Sequence, residues 1–437
     1  MLNRILLVTV ALLFCSTYSS RVSFQDFLQV QHLIGYRQGD SQDPVARLQQ
    51  RLERGEVRLD YDETTGYLAA VLRELQIPVS SQGLVFSKTS FQLHRIEPHH
   101  PRAIYFNDDA YVGWVRGGEV LELAAVDPVR GGIFYVLDQT RTARPKFIRN
   151  DECLQCHAAN NTRHVPGFVV RSVYPDDRGY PISSLGSHVT NHTSPLRERW
   201  GGWYVTGTHG TERHAGNMLF EEKSRPENPE SLTGGNLTSL VGKFSPQEYL
   251  SPHSDVVALL VLEHQTQTHN LVTRLNYETR LALHHQRVLD DALLRKTVGL
   301  SDSTRRRIER AASELVRQLL LVGEARWRDP IRGTSSFARE FSASGRRDLQ
   351  GRSLRDLDLQ TRLFRYPCSY LIYSESIHRL PDEARAELWR QLELALTGKS
   401  TEPDIPTIPP TEAQNIIEIL RDTKKDLPKG FGDFLTK

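Results

Sequence analysis

Cys153 and Cys156, with His157 directly after them, put two thiols and an imidazole within five residues. This C-x-x-C-H spacing is the attachment sequence for c-type haem. Two thiols three residues apart share one side of a helical turn, where they add to the two vinyl groups of a porphyrin as thioethers. The adjacent imidazole then lies under the iron as its proximal ligand. With four Cys and 16 His in 437 residues, chance gives this pattern on the order of once in a thousand such chains. Other uses of a cysteine pair fit less well. A zinc site needs four ligands, usually from a second matching pair, and the sequence has no second C-x-x-C. A thioredoxin-like pair sits at a strand-to-helix junction of a βαβ unit, whereas the surroundings here read as strand and loop. The motif predicts one covalent haem c held by Cys153, Cys156 and His157.

The sixth iron position separates electron transfer from ligand chemistry, because two strong axial ligands close the metal and one leaves it open. Met218 is the one methionine besides Met1; a thioether there would raise the potential, and the bland alternative is a core side chain. His164, His188, His192, His209 and His214 also follow the motif, and a second imidazole would lower the potential relative to a thioether. Gly207 and Gly210 flank His209, which lets backbone approach a flat cofactor. His209 and His214 are therefore the preferred distal candidates, with Met218 the thioether alternative. Trp200, Trp203 and Tyr204 offer aromatic surface, or ordinary strand packing.

The chain begins with one positive charge, Arg4, an apolar run from Ile5 to Phe14, and small residues to Ser20. That order predicts a signal peptide over 1–19. The run is short for a membrane span, which takes ~20 residues. Cys15 suggests a lipid site, but bulky Phe14 precedes it. An exported, periplasmic chain is expected, with no membrane span in its mature part and at most a tether at one end. Haem attachment outside the cytoplasm agrees with this. The charge of +2, with 38% hydrophobic and 25% charged residues, fits an ordinary globular protein and gives no global field for nucleic acid.

Around the motif the period is that of strands. Runs at 103–106, 111–115, 120–126 and 133–137 are punctuated by Gly117-Gly118 and Gly131-Gly132. Further strands are expected at 167–174, at 180–185 as its hairpin partner, and at 203–206. Helical patterns at 44–54 and 65–76 precede them. A loop-rich stretch over 220–250 marks a boundary. Beyond it the pattern is helical: from a Ser251-Pro252 start to about 295, from the Ser301 cap to about 321, and as a pair at 355–397. A Pro-rich connector over 401–410 leads to a last amphipathic helix with a Thr411 capping box. The fold class expected is α+β. An α+β haem c domain over 20–235 carries the motif on a sheet-containing scaffold, and a mainly helical domain spans 245–437. No repeat of solenoid length is present.

Other chemical residues read as structure. His264, His269, His284 and His285 lack the i,i+4 or paired Glu-x-x-His spacing of a helical metal site; solvated or hydrogen-bonded rings are expected, with a distal ligand from this helix the alternative. Glu375 and His378 form a single Glu-x-x-His. Cys368 reads as a buried thiol. Arg305, Arg306 and Arg307 read as a solvated face. Walker A, G-x-G-x-x-G and G-x-S-x-G patterns are absent.

With the motif and export signal, the stretches RAIYFNDDAYVGWV (102–115), RWGGWYVTGTHGTERHAGN (199–217), LEHQTQTHN (262–270) and RYPCSYLIYS (365–374) make the chain resemble a group of exported bacterial single-haem proteins with a cytochrome c domain. The likeness covers most of the chain. The group has no assigned activity, so the resemblance implies haem binding and export, carried by Cys153, Cys156 and His157, and nothing sharper. The expected function is an exported mono-haem cytochrome that transfers electrons to a redox partner the sequence does not identify. The alternatives are an open-site haem enzyme, such as one reducing peroxide, or a haem-based redox or gas sensor.

Overall fold

The computed structural model describes residues 33–221, 231–295, 297–400 and 408–432. The expected signal peptide over 1–19, Cys15, and most of the Pro-rich connector lie outside the described residues. No helix among the described residues is long and apolar enough to cross a membrane.

The fold is α+β. Strands β1 (Gly83–Val85), β2 (Arg102–Phe106), β3 (Ala110–Trp114), β4 (Val120–Asp127), β5 (Gly131–Asp138), β6 (Phe147–Arg149) and β9 (Trp203–Tyr204) form one sheet in the order β6-β5-β4-β3-β2-β1-β9. All neighbours pair antiparallel. Alternation along each strand gives the sheet two apolar faces. Ala103, Tyr105, Val112, Leu121, Leu123, Ile133 and Leu137 face helices α1 (Pro44–Glu53) and α2 (Leu68–Glu74), which bury Val45, Leu48, Leu68 and Val71 against them. Phe106, Tyr111 and Val126 face the other way, towards helix α4.

Between β6 and β9 the chain makes the short helix α3 (Leu154–His157) and a small hairpin of β7 (Arg171–Val173) and β8 (Ser187–Val189). The expected pairing of 167–174 with 180–185 forms only at its turn end, as an antiparallel bridge of Pro175 with Pro181 and a bond from the Ile182 amide to the Tyr174 carbonyl at 2.8 Å. The Asp176 carboxylate accepts from the Arg178 and Tyr180 amides, so the expected turn forms there. The ladder bonds, however, run to Ser187–Val189, beyond a 3₁₀ turn at Ser183–Leu185.

Helix α4 (Val256–Ala292) is the spine of the remaining chain, 37 residues long. Residues Val256 to Leu262 are buried all round, as in a helix that crosses an interior. Its start corrects the Ser251-Pro252 reading. The cap is Asp255, whose carboxylate accepts from the amides of Val257, Thr334 and Ser335 at 2.7–2.8 Å. A carboxylate satisfies the free N–H groups of a first turn and opposes the positive end of the helix dipole. Helix α5 (Asp302–Leu319), capped by Ser301 as expected, packs back along α4. After α6 (Phe337–Ala343), the stretch 354–369 is not helical, so of the pair expected at 355–397 only α7 (Glu375–His378) and α8 (Asp382–Thr397) form. Helix α9 (Pro410–Thr423) closes the bundle, with no side-chain cap from Thr411. Sheet residues Val85, Phe106 and Trp203, with Phe168 from the loop before β7, share one core with α4, α5 and α8, so residues on both sides of 235–245 pack together.

Two outcomes test this packing. Asp255→Ala removes four charge-assisted hydrogen bonds at a buried cap and lowers the unfolding free energy by about 3 kcal/mol in a denaturant titration. Burial holds His214 at about 3, His192 and His269 at about 4, and His264 well below the ordinary imidazole value of 6.5. The folded chain thus binds fewer protons than the unfolded one between that value and about 4. Stability is complete above pH 6.5 and falls with acidification across this window. Denaturation midpoints that stay flat there contradict the buried neutral state.

Candidate functional site

Strand β6 delivers the motif directly. The Asn150 amide donates to the Phe134 carbonyl on β5 at 2.9 Å, and the Asn150 side chain accepts from the Glu152 amide at 3.0 Å. This caps a 3₁₀ turn, Asp151–Cys153, that runs into α3. Arg149 bonds Asp151 at 2.9 Å and the Tyr36 carbonyl at 2.8 Å, tying the turn to the N-terminal segment. Leu154 is the one buried residue of α3 and enters the core. With Leu154 inward, Cys156 is exposed and Cys153 half-buried, and both thiols are unpaired.

His157 is half-buried, 4.7 Å from the Phe134 ring between centroids. Its Nδ1 lies 2.9 Å from the Gly167 carbonyl oxygen. A carbonyl oxygen only accepts, so Nδ1 carries the proton and the Nε2 lone pair is left for a metal. An imidazole fixed in this way through its second nitrogen is the arrangement that orients metal-bound histidines. Burial lowers the His157 pKa, the bond to Gly167 works against that, and the charges of Arg102 and Glu122 act in opposite directions. The ring is therefore held neutral, the form that binds metal.

The Gly167 carbonyl is itself held from three sides. The Gly167 amide donates to the His157 carbonyl at 2.8 Å, and the Gly132 amide to the Pro166 carbonyl at 2.9 Å. Asn270 on α4 clamps the next peptide unit, accepting from the Phe168 amide and donating to the Phe168 carbonyl, both at 2.8 Å. None of these positioning groups was expected from the sequence. Asn270 closes the stretch 262–270, but its partner lies 102 residues away, and no local pattern reports such a pairing.

Beside the motif lies an open row of the sheet. Cross-strand partners share a face, and the register aligns Ile148, Val136, Glu122, Gly113 and Ile104 from β6 to β2. The neighbouring row, Phe134, Ala124, Tyr111 and Phe106, runs beneath α4. The open row is more exposed: Ile148 is 56% exposed, and Val136, Glu122 and Ile104 are part-exposed, with Ile104 packing against the α4 core. Four steps of about 4.8 Å make a surface roughly 19 Å wide. Arg102 crosses it, lying over Gly113 and donating to Glu122 at 2.6 Å.

These residues fit a haem c. Two free thiols stand on one short helix, with an imidazole whose outer nitrogen is fixed, beside an apolar sheet row. Among the described residues no three His, Cys, Asp or Glu side chains converge on a point suited to a bare metal ion. A haem needs no such group, since the porphyrin supplies four of the iron's ligands.

The preferred distal candidates His209, His214 and Met218 hang from a different part of the fold. His209 and His214 meet edge to face at 4.8 Å between ring centroids, with His214 5.2 Å from Trp200. His209 Nε2 accepts from the Asn236 amide, and His214 Nδ1 from the Gly216 amide. Met218 packs with Leu185, Ala215, Phe220 and Leu232. This region hangs from β9 and the start of α4, where the Val256 amide bonds Thr206. The motif sits against β5 and, through Phe168, against Asn270. Fourteen residues of α4 between those two anchors span about 21 Å, and five strand steps from β5 to β9 give about 24 Å. Axial ligands of one iron lie within about 4 Å of each other, two metal–nitrogen bonds. His192 faces His264 at 5.8 Å, and His188 lies 6.4 Å from Tyr174. His164 follows α3 in a left-handed turn with Arg163. On α4, His264 Nε2 is 2.7 Å from Ser369 Oγ, and His269 Nε2 donates to the Asp108 carbonyl at 2.8 Å; both are buried and hydrogen-bonded.

Comparison with protein-family models, curated proteins and solved structures finds no match to this chain.

Burial pushes the Cys153 thiol up to about 11, with the Glu122 carboxylate adding to the effect, and pushes the fully buried Cys368 up to about 12. In the cofactor-free chain, iodoacetamide at mildly alkaline pH labels Cys156 first, Cys153 more slowly, and Cys368 only on unfolding. Mass spectra of peptides taken over time read the order, and equal rates at Cys153 and Cys156 contradict the burial described.

Proposed function

We propose that the chain is an exported mono-haem c-type cytochrome that carries electrons. The observation that supports this most is the fixed proximal geometry: a C-x-x-C-H turn with two unpaired thiols, whose imidazole is oriented by the Gly167 carbonyl. Bound there, a haem c supplies one-electron chemistry at iron. The chain's own residues do the rest. Cys153 and Cys156 tether the cofactor, and His157 presents Nε2. Phe134, and Ile148, Val136 and Ile104 of the open row, offer apolar contact. The sheet edge keeps the site close to the surface, where electron exchange with a partner protein takes place. Export is supported by the charged and apolar start of the sequence, and periplasmic attachment of haem c agrees with it.

The distance between the motif and His209, His214 and Met218 favours a second reading, an open-site haem enzyme or sensor. One experiment separates the two. Expression with cytochrome c maturation factors yields a polypeptide heavier by one haem, surviving denaturation, and Cys153→Ala with Cys156→Ala abolishes the gain. A ferric low-spin spectrum indifferent to cyanide and carbon monoxide belongs to the electron carrier. A high-spin spectrum that responds to them belongs to the open site. A wild-type chain without covalent haem under these conditions sinks both.

A further inference from the structure

The pair Arg102–Glu122 is an unusual device for the middle of a sheet face. Arg102 opens β2 and points to the same side as Ile104, onto the open row beside the motif. Its guanidinium lies where a side chain at position 113 would stand: a Cβ on Gly113 would come within 2.7 Å of Arg102 Nε and Cζ. Glycine at the centre of a strand weakens it and often marks a place where another group must approach closely. Here that group is Arg102. Glu122 fixes it, accepting from Arg102 Nη2 at 2.6 Å, while the other Glu122 oxygen accepts from Gln92 Nε2 at 3.1 Å. Glu122 thus has both oxygens occupied.

Arg102 does not have all its donors occupied. Its Nε–H is buried and has no hydrogen-bond partner among the described residues. A buried donor left unmatched costs about 1–3 kcal/mol. A guanidinium presents its N–H groups as a planar fork suited to a carboxylate. The side chains of Arg102 and Glu122 are only 18% and 16% exposed, so little water reaches them. Glu122 lies two strands from Ile148 on β6, the strand that leads into the motif, which places the pair on the row beside it. A porphyrin of the haem class carries two propionate carboxylates and no other charged substituent.

We propose that Arg102, held across Gly113 by Glu122, is the anchor for a haem propionate, received on the part of its guanidinium that remains exposed and that Glu122 does not occupy. The proposal rests on the haem c reading. Glu122 serves as a positioning residue: it orients the guanidinium and leaves its outer edge free. Arg102, a fixed cation on the open row, then sets the direction in which the carboxylate edge of the cofactor points, while the thioethers of Cys153 and Cys156 set the opposite edge.

The test uses the full-length matured protein, with Arg102→Leu, Arg102→Lys and Gly113→Ala compared with wild type. Denaturing mass spectrometry first reads covalent haem. Resonance Raman spectra of the propionate bending bands and midpoint potentials measured against pH are then compared. In Arg102→Leu the covalent haem is retained, one propionate band shifts, and the midpoint potential falls, because an uncompensated carboxylate favours the ferric ion. Arg102→Lys keeps the charge and most of the potential but loses the planar fork, so the band still shifts. Gly113→Ala changes no charge and displaces the guanidinium, so it moves band and potential in the same sense as Arg102→Leu. It also carries the test should Arg102→Leu fail to accumulate. Unchanged propionate bands in Arg102→Leu or Gly113→Ala, with haem attached, overturn the anchor and leave the haem reading intact. A wild-type chain without covalent haem overturns both together.

Discussion

Helix α4 runs through the protein interior while carrying a polar sequence, and most of the architecture follows from satisfying it. After the apolar start from Val256 to Leu262, nearly every polar side chain to Asn276 is buried. Each must find a partner, because an unmatched buried polar group is strongly destabilising. The partners come from all over the chain. Glu263 takes Arg199 at 2.7 Å. Gln265 donates to Tyr111 and to the Asn107 carbonyl and accepts from Tyr370. His269 takes the Asp108 carbonyl, Asn270 the Phe168 peptide, Asn276 the Val129 carbonyl and Tyr277 the Arg130 carbonyl. Each bond pins a loop at a fixed height along one rod. A buried ion pair such as Arg199–Glu263 adds little net stability by itself, yet losing one partner strands a charge; its effect here is to select one arrangement of the 190–200 segment against the helix.

The same rod separates two chemically conspicuous regions. The β4–β5 turn and the segment after the motif hang from its middle, and the aromatic and histidine-rich segment 199–217 hangs from its start. In sequence His209 is 52 residues from His157, close enough to suggest partnership. In space they follow the two edge strands of the seven-stranded sheet, β6 and β9. The His209–His214 pair and Trp200 form a buried structural cluster, whereas the motif borders an open one.

Much of the sheet was legible because its strands obey a simple rule. The runs 103–106, 111–115, 120–126 and 133–137 alternate and end at glycines, and they form β2 to β5 within one or two residues. Ser301 was legible as a cap because its bond to the Thr304 amide is local. What stayed hidden was set by distant partners. Asp255 outranked Ser251 as the α4 cap because Thr334 and Ser335 converge on its carboxylate. The ladder of β7 passed over 180–185 because the turn around Asp176 leads into a 3₁₀ segment. The stretch 354–369 carries leucines at helical intervals, but Asp356 and Asp358 accept local amides and hold loops instead. At the candidate site, the three motif residues were visible from spacing alone. Their supports at Phe134, Gly167, Asn270, Arg102 and Glu122 were not, since each comes from a different element.

The position of the motif along the chain also fixes an order of assembly. All strands of the open row, β2 to β6, lie upstream of it: β6 ends at Arg149, four residues before Cys153. Asn270, which locks the Phe168 peptide, comes 113 residues after His157. A chain emerging from its N-terminus therefore has the sheet strands and both thiols in hand while α4 is still missing, and the face that α4 later covers is bare. The order of synthesis therefore places both thiols in the chain well before the helix residue that completes the support of the neighbouring imidazole.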